Sequence, residues 1–383
     1  MSEIHIIIKA TNACNLRCKY CYNSESNYGE EKLSLERFEK LLMVLAKSYS
    51  SISVMWHGGE PLYCGIDYYK AAIEVEEKVT RYTGVKFINA VQTNGTLLNK
   101  EWISFFKKHD FKPGLSFDGM NNDKYRQCAD KTLRGIELLK KSGIKFGCMA
   151  VVADDEYDIL ENYKYFAERS IPVEFSPVIR EGGAKDSGGI SAKRYAEEMI
   201  KLFDYWLYDK SGVDIRTFNS YFAMAMGYMF RVCAHNSCIG RYLGISPDGT
   251  IYNCSRHSVQ QYPFGNIDDI EDVSELFKSE GFKNLLIGSI SRRKKCSEIC
   301  EYFEYCGGGC PDVAIAEGNL REIPESSCYC FKAVFDHVKG VVERLKAESL
   351  DLSKLNPSIK QTLAKCTAID GSLPENKIAE EYI

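Results

Sequence analysis

The sequence of 383 residues lacks the features that would place it at a membrane or on nucleic acid. It contains no apolar run long enough to span a bilayer, and Met1-Ser2-Glu3 leads directly into a strand-like segment, so we expect neither a transmembrane helix nor a signal peptide. An excess of basic residues is also missing, since the net charge is −4, and this argues against nucleic acid or an anionic membrane as a partner. We therefore expect a cytoplasmic protein.

Internal repeats are absent as well, whereas cysteine is abundant. Sixteen cysteines in a long chain without an export signal indicate metal binding rather than disulfides. Three of them lie within residues 14–21, and nine lie between Cys233 and Cys330. This distribution predicts one cluster-binding region toward each end of the chain.

Strand-like and helix-like segments alternate through the first half of the chain. We expect six strands, at residues 4–8, 52–56, 87–91, 114–117, 145–152 and 173–179. The helix-like segments between them cover residues 35–46, 68–82, 100–107, 133–141 and 159–168. Six such units predict parallel strands with right-handed crossovers, and they fall short of a closed eight-fold barrel. The predicted fold class is therefore α/β, with a partial (β/α)6 barrel.

Three cysteines follow the first strand, in the loop at its carboxyl end, where α/β folds place their chemistry. Cys14, Cys18 and Cys21 are separated by three and then two residues. Thiolates are soft ligands that suit iron–sulfur clusters and zinc. A zinc knuckle would need a fourth ligand nearby, but no Cys or His lies between Cys21 and His57. Three incidental core cysteines remain an alternative to a cubane with one open iron.

This spacing, with Tyr20 just before the last cysteine, resembles the signature of the radical S-adenosylmethionine (SAM) enzymes. The resemblance implies that three thiolates hold a [4Fe–4S] cluster whose fourth iron binds the amino and carboxylate groups of SAM. It also implies reductive cleavage of SAM to a 5′-deoxyadenosyl radical, which removes a hydrogen atom from the substrate.

The tips of later strands resemble the SAM-binding motifs of the same family. Gly58-Gly59-Glu60-Pro61 resembles the motif whose backbone and carboxylate hold the SAM amino group. Paired glycines let backbone approach a ligand closely, and a carboxylate suits an ammonium group. By the same resemblance, the residues that reach the ribose and methionine parts of SAM are Gln92, Thr93, Asn94 and Ser116. Arg126 is a candidate partner of the SAM carboxylate, with a solvated surface arginine as the alternative.

A cysteine-rich pattern begins at Cys233 and ends near residue 335. It contains a predicted hairpin at residues 245–254, built around the Asp248-Gly249 turn. Four cysteines then follow with gaps of three, five and three residues, and Cys328 and Cys330 close the set. This pattern resembles the SPASM extension of radical SAM enzymes.

The SPASM resemblance implies two auxiliary [4Fe–4S] clusters with four cysteine ligands each. The first set is Cys233, Cys238, Cys254 and Cys310, and the second is Cys296, Cys300, Cys306 and Cys328. The gap between Cys296 and Cys300 has three residues where the family usually has two, and Cys330 could replace Cys328. Zinc, which also accepts four thiolates, is the alternative metal.

The expected domains are a radical SAM partial barrel at residues 1–180, a linker and helices at 181–232, a SPASM domain at 233–335, and a C-terminal helix and tail at 336–383. A polar, glycine-rich break at residues 181–189 marks the first boundary.

The resemblance implies an oxidoreductase that oxidatively modifies a ribosomally made peptide, with a flavodoxin- or ferredoxin-type protein as electron donor. Family members with two auxiliary clusters include anaerobic sulfatase maturases and enzymes that form thioether or carbon–carbon crosslinks. The maturases carry an aspartate proton acceptor after the hairpin cysteine, where this chain has Ser255, so His257 is the candidate base, with a surface histidine as its alternative. We therefore expect peptide crosslinking, with sulfatase maturation (Ser or Cys to formylglycine) second. A non-catalytic iron–sulfur electron carrier is the alternative from another class.

Overall fold

A computed structural model describes residues 3–23, 29, 31–185, 189–230, 232–235, 238–256 and 258–368 of the chain. Its strands are β1 (Glu3–Thr11), β2 (Ser51–Gly58), β3 (Lys86–Thr93), β4 (Lys112–Ser116), β5 (Gly147–Val152), β6 (Val173–Pro177), β7 (Tyr228–Met229), β8 (Tyr242–Ile245), β9 (Thr250–Tyr252), β10 (Gly265–Asn266) and β11 (Thr367–Ala368). Strands β1 to β6 pair in parallel, each with the next in sequence. The six predicted strands and the open, partial barrel are confirmed.

The helices of the barrel half are α1 (Leu35–Ala46), α2 (Ile66–Thr83), α3 (Lys100–Lys108), α4 (Asn122–Tyr125), α5 (Ala129–Ser142) and α6 (Ile159–Glu168). Those that follow are α7 (Ala192–Trp206), α8 (Arg216–Ala225), α9 (Val273–Lys278), α10 (Glu280–Ile299), α11 (Phe303–Cys306), α12 (Pro311–Ala316), α13 (Glu325–Ala347) and α14 (Pro357–Leu363). The five helices predicted between the strands are confirmed, with ends shifted by a few residues. Among the described residues, no helix is both long enough and apolar enough to cross a bilayer.

The two faces of the barrel sheet differ in burial. On β2, Ile52, Val54 and Trp56 are buried, because this face packs against the surrounding helices. The alternate positions Met55 and His57 are only partly buried. Since successive side chains of a strand point to opposite faces, these residues line an open lumen. The carboxyl ends of the strands form the rim of that lumen.

The hairpin of the cysteine-rich half belongs to the same sheet. Strand β8 pairs in parallel with the free edge of β1, from His5 opposite Tyr242 to Ile8 opposite Ile245. Strand β9 then pairs antiparallel with β8, and β10 with β9, which gives nine strands in the order β10-β9-β8-β1-β2-β3-β4-β5-β6. The sequence predicted the hairpin but not this pairing. Cys254, two residues after β9, lies near Lys9 and Tyr22, because its charge affects the pKa of both.

Candidate functional site

The cysteine triad lies in the loop that follows β1. Thr11 ends the strand, and its hydroxyl accepts a hydrogen bond from the Ala13 amide at 3.1 Å. The Cys14 sulfur accepts another from the amide two residues later at 3.4 Å, and the Cys21 amide donates to the Cys18 carbonyl at 3.2 Å. Burial raises the pKa of the Cys14 thiol to about 12, so this sulfur keeps its proton unless a metal displaces it. Iron can supply the positive charge that displaces the proton from each thiol, so the loop fits a cluster held by three thiolates.

The glycine-rich tip of β2 packs directly onto the triad loop. The Gly59 amide donates to the Thr11 carbonyl at 2.9 Å, and the Glu60 amide donates to the Ala13 carbonyl at 2.8 Å. A Cβ atom at Gly59 would lie 2.3 Å from the Ala13 carbonyl oxygen, so this position must be glycine. Pro61 is buried at the start of a short 3₁₀ helix and fixes the chain beyond the tip.

The Glu60 carboxylate faces the protein interior and is only 1% exposed. It accepts hydrogen bonds from the Leu62 amide at 3.0 Å, the Thr93 hydroxyl at 2.6 Å and the Asn94 amide at 2.8 Å. Burial raises its pKa to about 7, and these three donors oppose that rise. The carboxylate therefore joins the tips of β2 and β3. Its direct contact with the SAM amino group remains a prediction.

The remaining strand tips are joined by amide side chains. The Asn94 side chain donates to Asn15 at 2.9 Å, and Asn15 donates to Thr96 at 2.8 Å, which fixes the β3 tip to the triad loop. The Gln92 side chain donates to the Ser116 hydroxyl at 3.0 Å across β3 and β4. These residues lie on the rim beside the triad, as predicted, while their contacts with SAM remain predictions.

Arg126 is not a solvated surface residue, because it is only 9% exposed. Its Nε donates to the Asp118 carboxylate at 2.9 Å, and its guanidinium lies 5.2 Å from the centre of the Tyr20 ring. The Tyr20 hydroxyl also donates to Asp118. Arg126 opposes the rise in the pKa of Cys18 that burial causes, so it lies near this predicted iron ligand. Arg126 is therefore paired with Asp118, and its contact with the SAM carboxylate stays a prediction.

The structure brings together the four cysteines of the first auxiliary set. Burial raises the pKa of Cys238 well above its usual range, and Cys310, Cys233 and Cys254 add to that rise because their charges lie nearby. Cys310 therefore reaches back to the earlier three, as the resemblance implies. The Cys238 sulfur also accepts a hydrogen bond from the side-chain amide of Asn253 at 3.4 Å.

The four cysteines of the second auxiliary set line one cavity of about 80 Å³, and Cys310 of the first set lines it as well; the members of the second set are Cys296, Cys300, Cys306 and Cys328. The unusual spacing of the first two has a structural reason. Cys296 lies in the last turn of α10, and the Cys300 amide donates to its carbonyl at 2.9 Å, so both thiols are on neighbouring turns. Cys330 does not line the cavity, and its sulfur donates to the Ala192 carbonyl at 3.3 Å. The geometry favours Cys328 as the ligand.

A buried arginine that the sequence did not single out holds the glycine loop between these ligands. Arg292 is fully buried and donates to the carbonyls of Gly308 at 3.0 Å, Gly309 at 3.3 Å and Leu320 at 2.8 Å. Gly307, Gly308 and Gly309 all have positive φ angles, which permit the tight bend between Cys306 and Cys310. The signal in the sequence that could have indicated this role is an arginine, Arg292, ahead of the Gly307-Gly308-Gly309 run.

No group of three described His, Cys, Asp and Glu side chains is close enough to hold a single metal ion. Zinc coordinated by four thiolates would require such a group. The thiolate ligands of a [4Fe–4S] cubane lie further apart than those of a single ion, because each binds a different iron. His257, the candidate base, lies outside the described residues.

The lumen contains polar groups that the sequence did not single out. Lys9 is 4% exposed, and its ammonium donates to Asn23 at 3.0 Å and lies 5.4 Å from the centre of the Tyr22 ring. Burial lowers the pKa of Lys9 to about 8, while Cys254 and Cys21 oppose that fall. Because the charges of both sulfurs raise the pKa of Lys9, its ammonium lies between the triad and the first auxiliary set.

Comparisons with known proteins agree with this geometry. The Radical SAM superfamily pattern matches residues 8–172, and the SPASM iron-sulfur cluster-binding domain matches residues 233–307. The serine-type anaerobic sulfatase-maturating enzyme of Bacteroides thetaiotaomicron is 30% identical over 393 residues, which cover 91% of this chain and 92% of that enzyme. The cysteine-type enzyme of Clostridium novyi is 28% identical, over 88% of this chain and 95% of that enzyme.

Solved structures show the same architecture. Native anSMEcpe with bound AdoMet and the Cp18Cys peptide matches with a TM-score of 0.75 and 27% identity, over 90% of this chain and 100% of that chain. Streptococcus suis SuiB bound to S-adenosylmethionine shares the fold, with a TM-score of 0.54 and 18% identity, over 85% of this chain and 77% of that chain. These relatives do not support a non-catalytic electron carrier. The chain belongs to the radical SAM enzymes with a C-terminal SPASM domain, which use SAM, a SAM-binding [4Fe–4S] cluster and auxiliary iron–sulfur clusters to modify peptides or proteins.

Proposed function

We propose that this enzyme oxidises a seryl or cysteinyl side chain of a protein substrate to formylglycine, as a sulfatase-maturating enzyme. The observation that carries the proposal is that similarity to such enzymes extends over both halves of the chain, at 30% identity over 91% of its length. Peptide crosslinking, which we expected first from the sequence, is not confirmed by these relatives, and they support the maturase interpretation better.

The chain supplies binding and orientation for this chemistry. Cys14, Cys18 and Cys21 would hold the SAM-binding cluster, while the backbone of residues 58–60 would face the amino acid part of SAM. Bound SAM supplies the radical that removes a hydrogen atom from the substrate. The Glu60 carboxylate fixes the relative position of the β2 and β3 tips, and Arg126 keeps positive charge beside Cys18. Both effects would help to hold SAM in one orientation.

The arrangement of the cysteine sets also suits an oxidation. The charges of Cys254 of the first auxiliary set and Cys21 of the triad both raise the pKa of Lys9, so both cysteine sets lie near this lumen residue. An auxiliary cluster at this place could accept the electron that the substrate radical releases. A flavodoxin- or ferredoxin-type protein would supply the electron that starts SAM cleavage.

Peptide crosslinking remains the second candidate because of one specific residue. Ser255 follows the hairpin cysteine where the maturases have an aspartate, and a hydroxyl has little acceptor strength near neutral pH. A crosslinking enzyme has less need of a base, because a neighbouring group of the same peptide can trap the oxidised carbon.

The test uses the anaerobically reconstituted enzyme with reductant, SAM and three matched sulfatase-type peptides that carry Ser, Cys or Ala at the target position. We expect an aldehyde on the Ser or Cys peptide, detected by hydrazide labelling, and a Ser peptide lighter by two hydrogens. The Ala peptide should not react. SAM cleavage without any aldehyde, together with a thiol-resistant internal bond in another peptide, would support crosslinking instead.

A further inference from the structure

The loop that carries the predicted SAM-binding cysteines exposes positive charge. Arg17 and Lys19 lie on either side of Cys18, and both side chains are exposed. The Arg17 guanidinium donates to the carbonyls of Cys14 at 2.6 Å and Leu16 at 2.8 Å, which holds its charge at the surface of the loop. The stretch between the first and the last cysteine of the triad contains no acidic residue. The loop therefore presents positive charge that its own sequence does not offset.

Another exposed lysine reaches this surface from the turn after β6. The Gly183 amide donates to the Cys21 carbonyl at 2.9 Å, so this turn packs against the triad loop. Lys185 lies two residues further on, and its side chain is exposed. Within the described ranges, neither Lys185 nor Lys19 forms an ion pair. Both ammonium groups can therefore attract a negatively charged partner.

An exposed apolar side chain lies beside the same loop. The Lys19 amide donates to the Tyr125 carbonyl at 2.9 Å, which holds α4 and the 3₁₀ turn before it against the triad loop. In that 3₁₀ turn, the Met120 side chain is 54% exposed. Lys124 of α4 is already paired with two carboxylates and adds little net charge. The triad-loop surface, formed by Arg17, Lys19, Met120 and Lys185, thus combines positive charge with an apolar contact.

The edge of the second auxiliary set carries the opposite charge. Glu298, Glu301 and Glu304 are exposed there, and the exposed Lys294 and Lys332 oppose these charges only in part. An acidic protein is therefore attracted to the triad-loop surface more strongly than to this edge. Charge thus distinguishes two places at which an electron could enter the enzyme.

We propose that the triad-loop surface docks a flavodoxin-type protein, which passes its electron directly to the SAM-binding cluster rather than through the auxiliary clusters. Flavodoxins are acidic, and their flavin exposes an apolar edge, so they match the charges of Lys19 and Lys185 as well as the apolar Met120. The flavin hydroquinone anion loses one electron and no proton, and the predicted SAM-binding cluster gains that electron. Encounters between electron-transfer partners bury little surface, so a few charges and one apolar side chain are enough. The inference rests on the electron donor given under the proposed function, and it holds whichever peptide is modified.

The test measures how a recombinant flavodoxin binds and reduces the holoenzyme. The double variant Lys19→Glu with Lys185→Glu should bind oxidised flavodoxin about tenfold more weakly in calorimetric titrations at low salt, because reversed charges repel the acidic partner. With reduced flavodoxin and SAM, its single-turnover release of 5′-deoxyadenosine should slow about tenfold, since electrostatic steering is lost. Wild type and variant should converge in about 1 M salt, which screens charges beyond about 3 Å.

Two controls separate docking from damage to the cluster. Photoreduced 5-deazariboflavin, a small neutral reductant, should drive SAM cleavage at equal rates in the double variant and wild type, and both should hold the same iron. Lys294→Glu is the matched charge reversal, because this exposed lysine lies two residues before Cys296 of the second auxiliary set. It should keep the wild-type affinity and rate.

Each outcome decides the proposal. Unchanged affinity and rate in the double variant would overturn it, and so would a loss confined to Lys294→Glu, which would place the donor at the second auxiliary set. A loss seen with a ferredoxin but not with flavodoxin would assign the surface to ferredoxins instead. If the double variant loses iron or slows with 5-deazariboflavin, Lys185→Glu alone decides, since it lies outside the triad loop, and an unchanged flavodoxin affinity in it would overturn the proposal.

Failure of the proposed function would be recognised separately. Absence of aldehyde on the sulfatase-type peptides would reject formylglycine formation. It would leave this inference standing, because the docking test measures donor binding and SAM cleavage without any peptide.

Discussion

The barrel rim and the cysteine-rich half hold their predicted cofactor ligands in different ways. On the rim, Glu60 accepts three protein hydrogen bonds, and Arg126 pairs with Asp118, so the strand tips are fixed by the chain itself. In the cysteine-rich half, five cysteines line a cavity of about 80 Å³ beside three glycines with positive φ. Its glycines contribute no side-chain contacts, and Arg292 holds the loop through the carbonyls of Gly308 and Gly309. The difference indicates that the rim is formed before its cluster binds, whereas the second half needs iron to be stable.

Replacing the cysteines of either region should test this difference between the two halves most strongly. The Ala variant at Cys14, Cys18 and Cys21 should lose all SAM cleavage and hold about eight irons instead of about twelve, from four irons per cubane. Its barrel should keep the wild-type melting temperature. The Ala variant at Cys300, Cys306 and Cys328 should also hold about eight irons, but its melting temperature should fall, and hydrogen exchange should increase at residues 296–331. Iron analysis, 5′-deoxyadenosine assays and exchange mass spectrometry measure these effects.

The matched control for that experiment is Cys330→Ala, because its thiol lies outside the cavity and contacts α7 instead. It should retain all the iron. Zinc in the wild-type protein, or equal destabilisation by both triple variants, would contradict the comparison.

A smaller effect should come from Glu60→Gln, which alters the rim without removing a ligand of iron. The glutamine has one acceptor oxygen, so its NH₂ group would face one of the three donors that now bind the carboxylate. Losing one such hydrogen bond loosens the rim, and losing the predicted charge-assisted contact to the SAM ammonium costs about 1.5 kcal/mol, which is roughly a tenfold weaker affinity for SAM. Calorimetric titration with SAM measures this, and Glu77→Gln on the exposed side of α2 is the control. Equal affinities in the two variants would show that the carboxylate does not position the SAM site.

The last effect concerns the pH dependence of folding stability and leaves the cofactor ligands untouched. Glu76 is buried behind β3 and accepts from Asn89 at 2.7 Å, and burial raises its pKa from 4.5 to about 8. Because the folded state then binds more protons than the unfolded state, this group makes stability fall as pH rises from about 4.5 to 8. Glu76→Gln should flatten that fall, as seen in urea unfolding monitored by tryptophan fluorescence. If the two proteins show the same pH slope, Glu76 does not titrate in this range.

The local pattern of the barrel half could be predicted from the sequence. The helices at residues 35–46 and 159–168 begin and end as expected, because apolar residues recur at helical spacing and Ser34 and Asp158 cap their first turns. The triad and the glycine tip were also predictable, since each directly follows a strand. Spacing along the chain carries that information.

Contacts between distant segments could not be predicted in the same way. Helix α10 was missed because its sequence is rich in charge and has no clear apolar stripe, although it holds Cys296 and Arg292. Lys9 directly follows the strand predicted at residues 4–8, and nothing near it in sequence indicated Tyr22 and His57 as lumen neighbours. Such groups meet only after the sheet has formed, so local periodicity says nothing about them.

The parallel pairing of β8 with β1 has a consequence for how the protein folds. During synthesis the barrel strands emerge first, but the outer edge of β1 stays without a partner until residues 242–245 leave the ribosome. An apolar edge strand with open backbone hydrogen bonds is a template for aggregation. A barrel truncated before the hairpin should therefore aggregate, and slow completion of this long-range contact should limit the yield of folded protein.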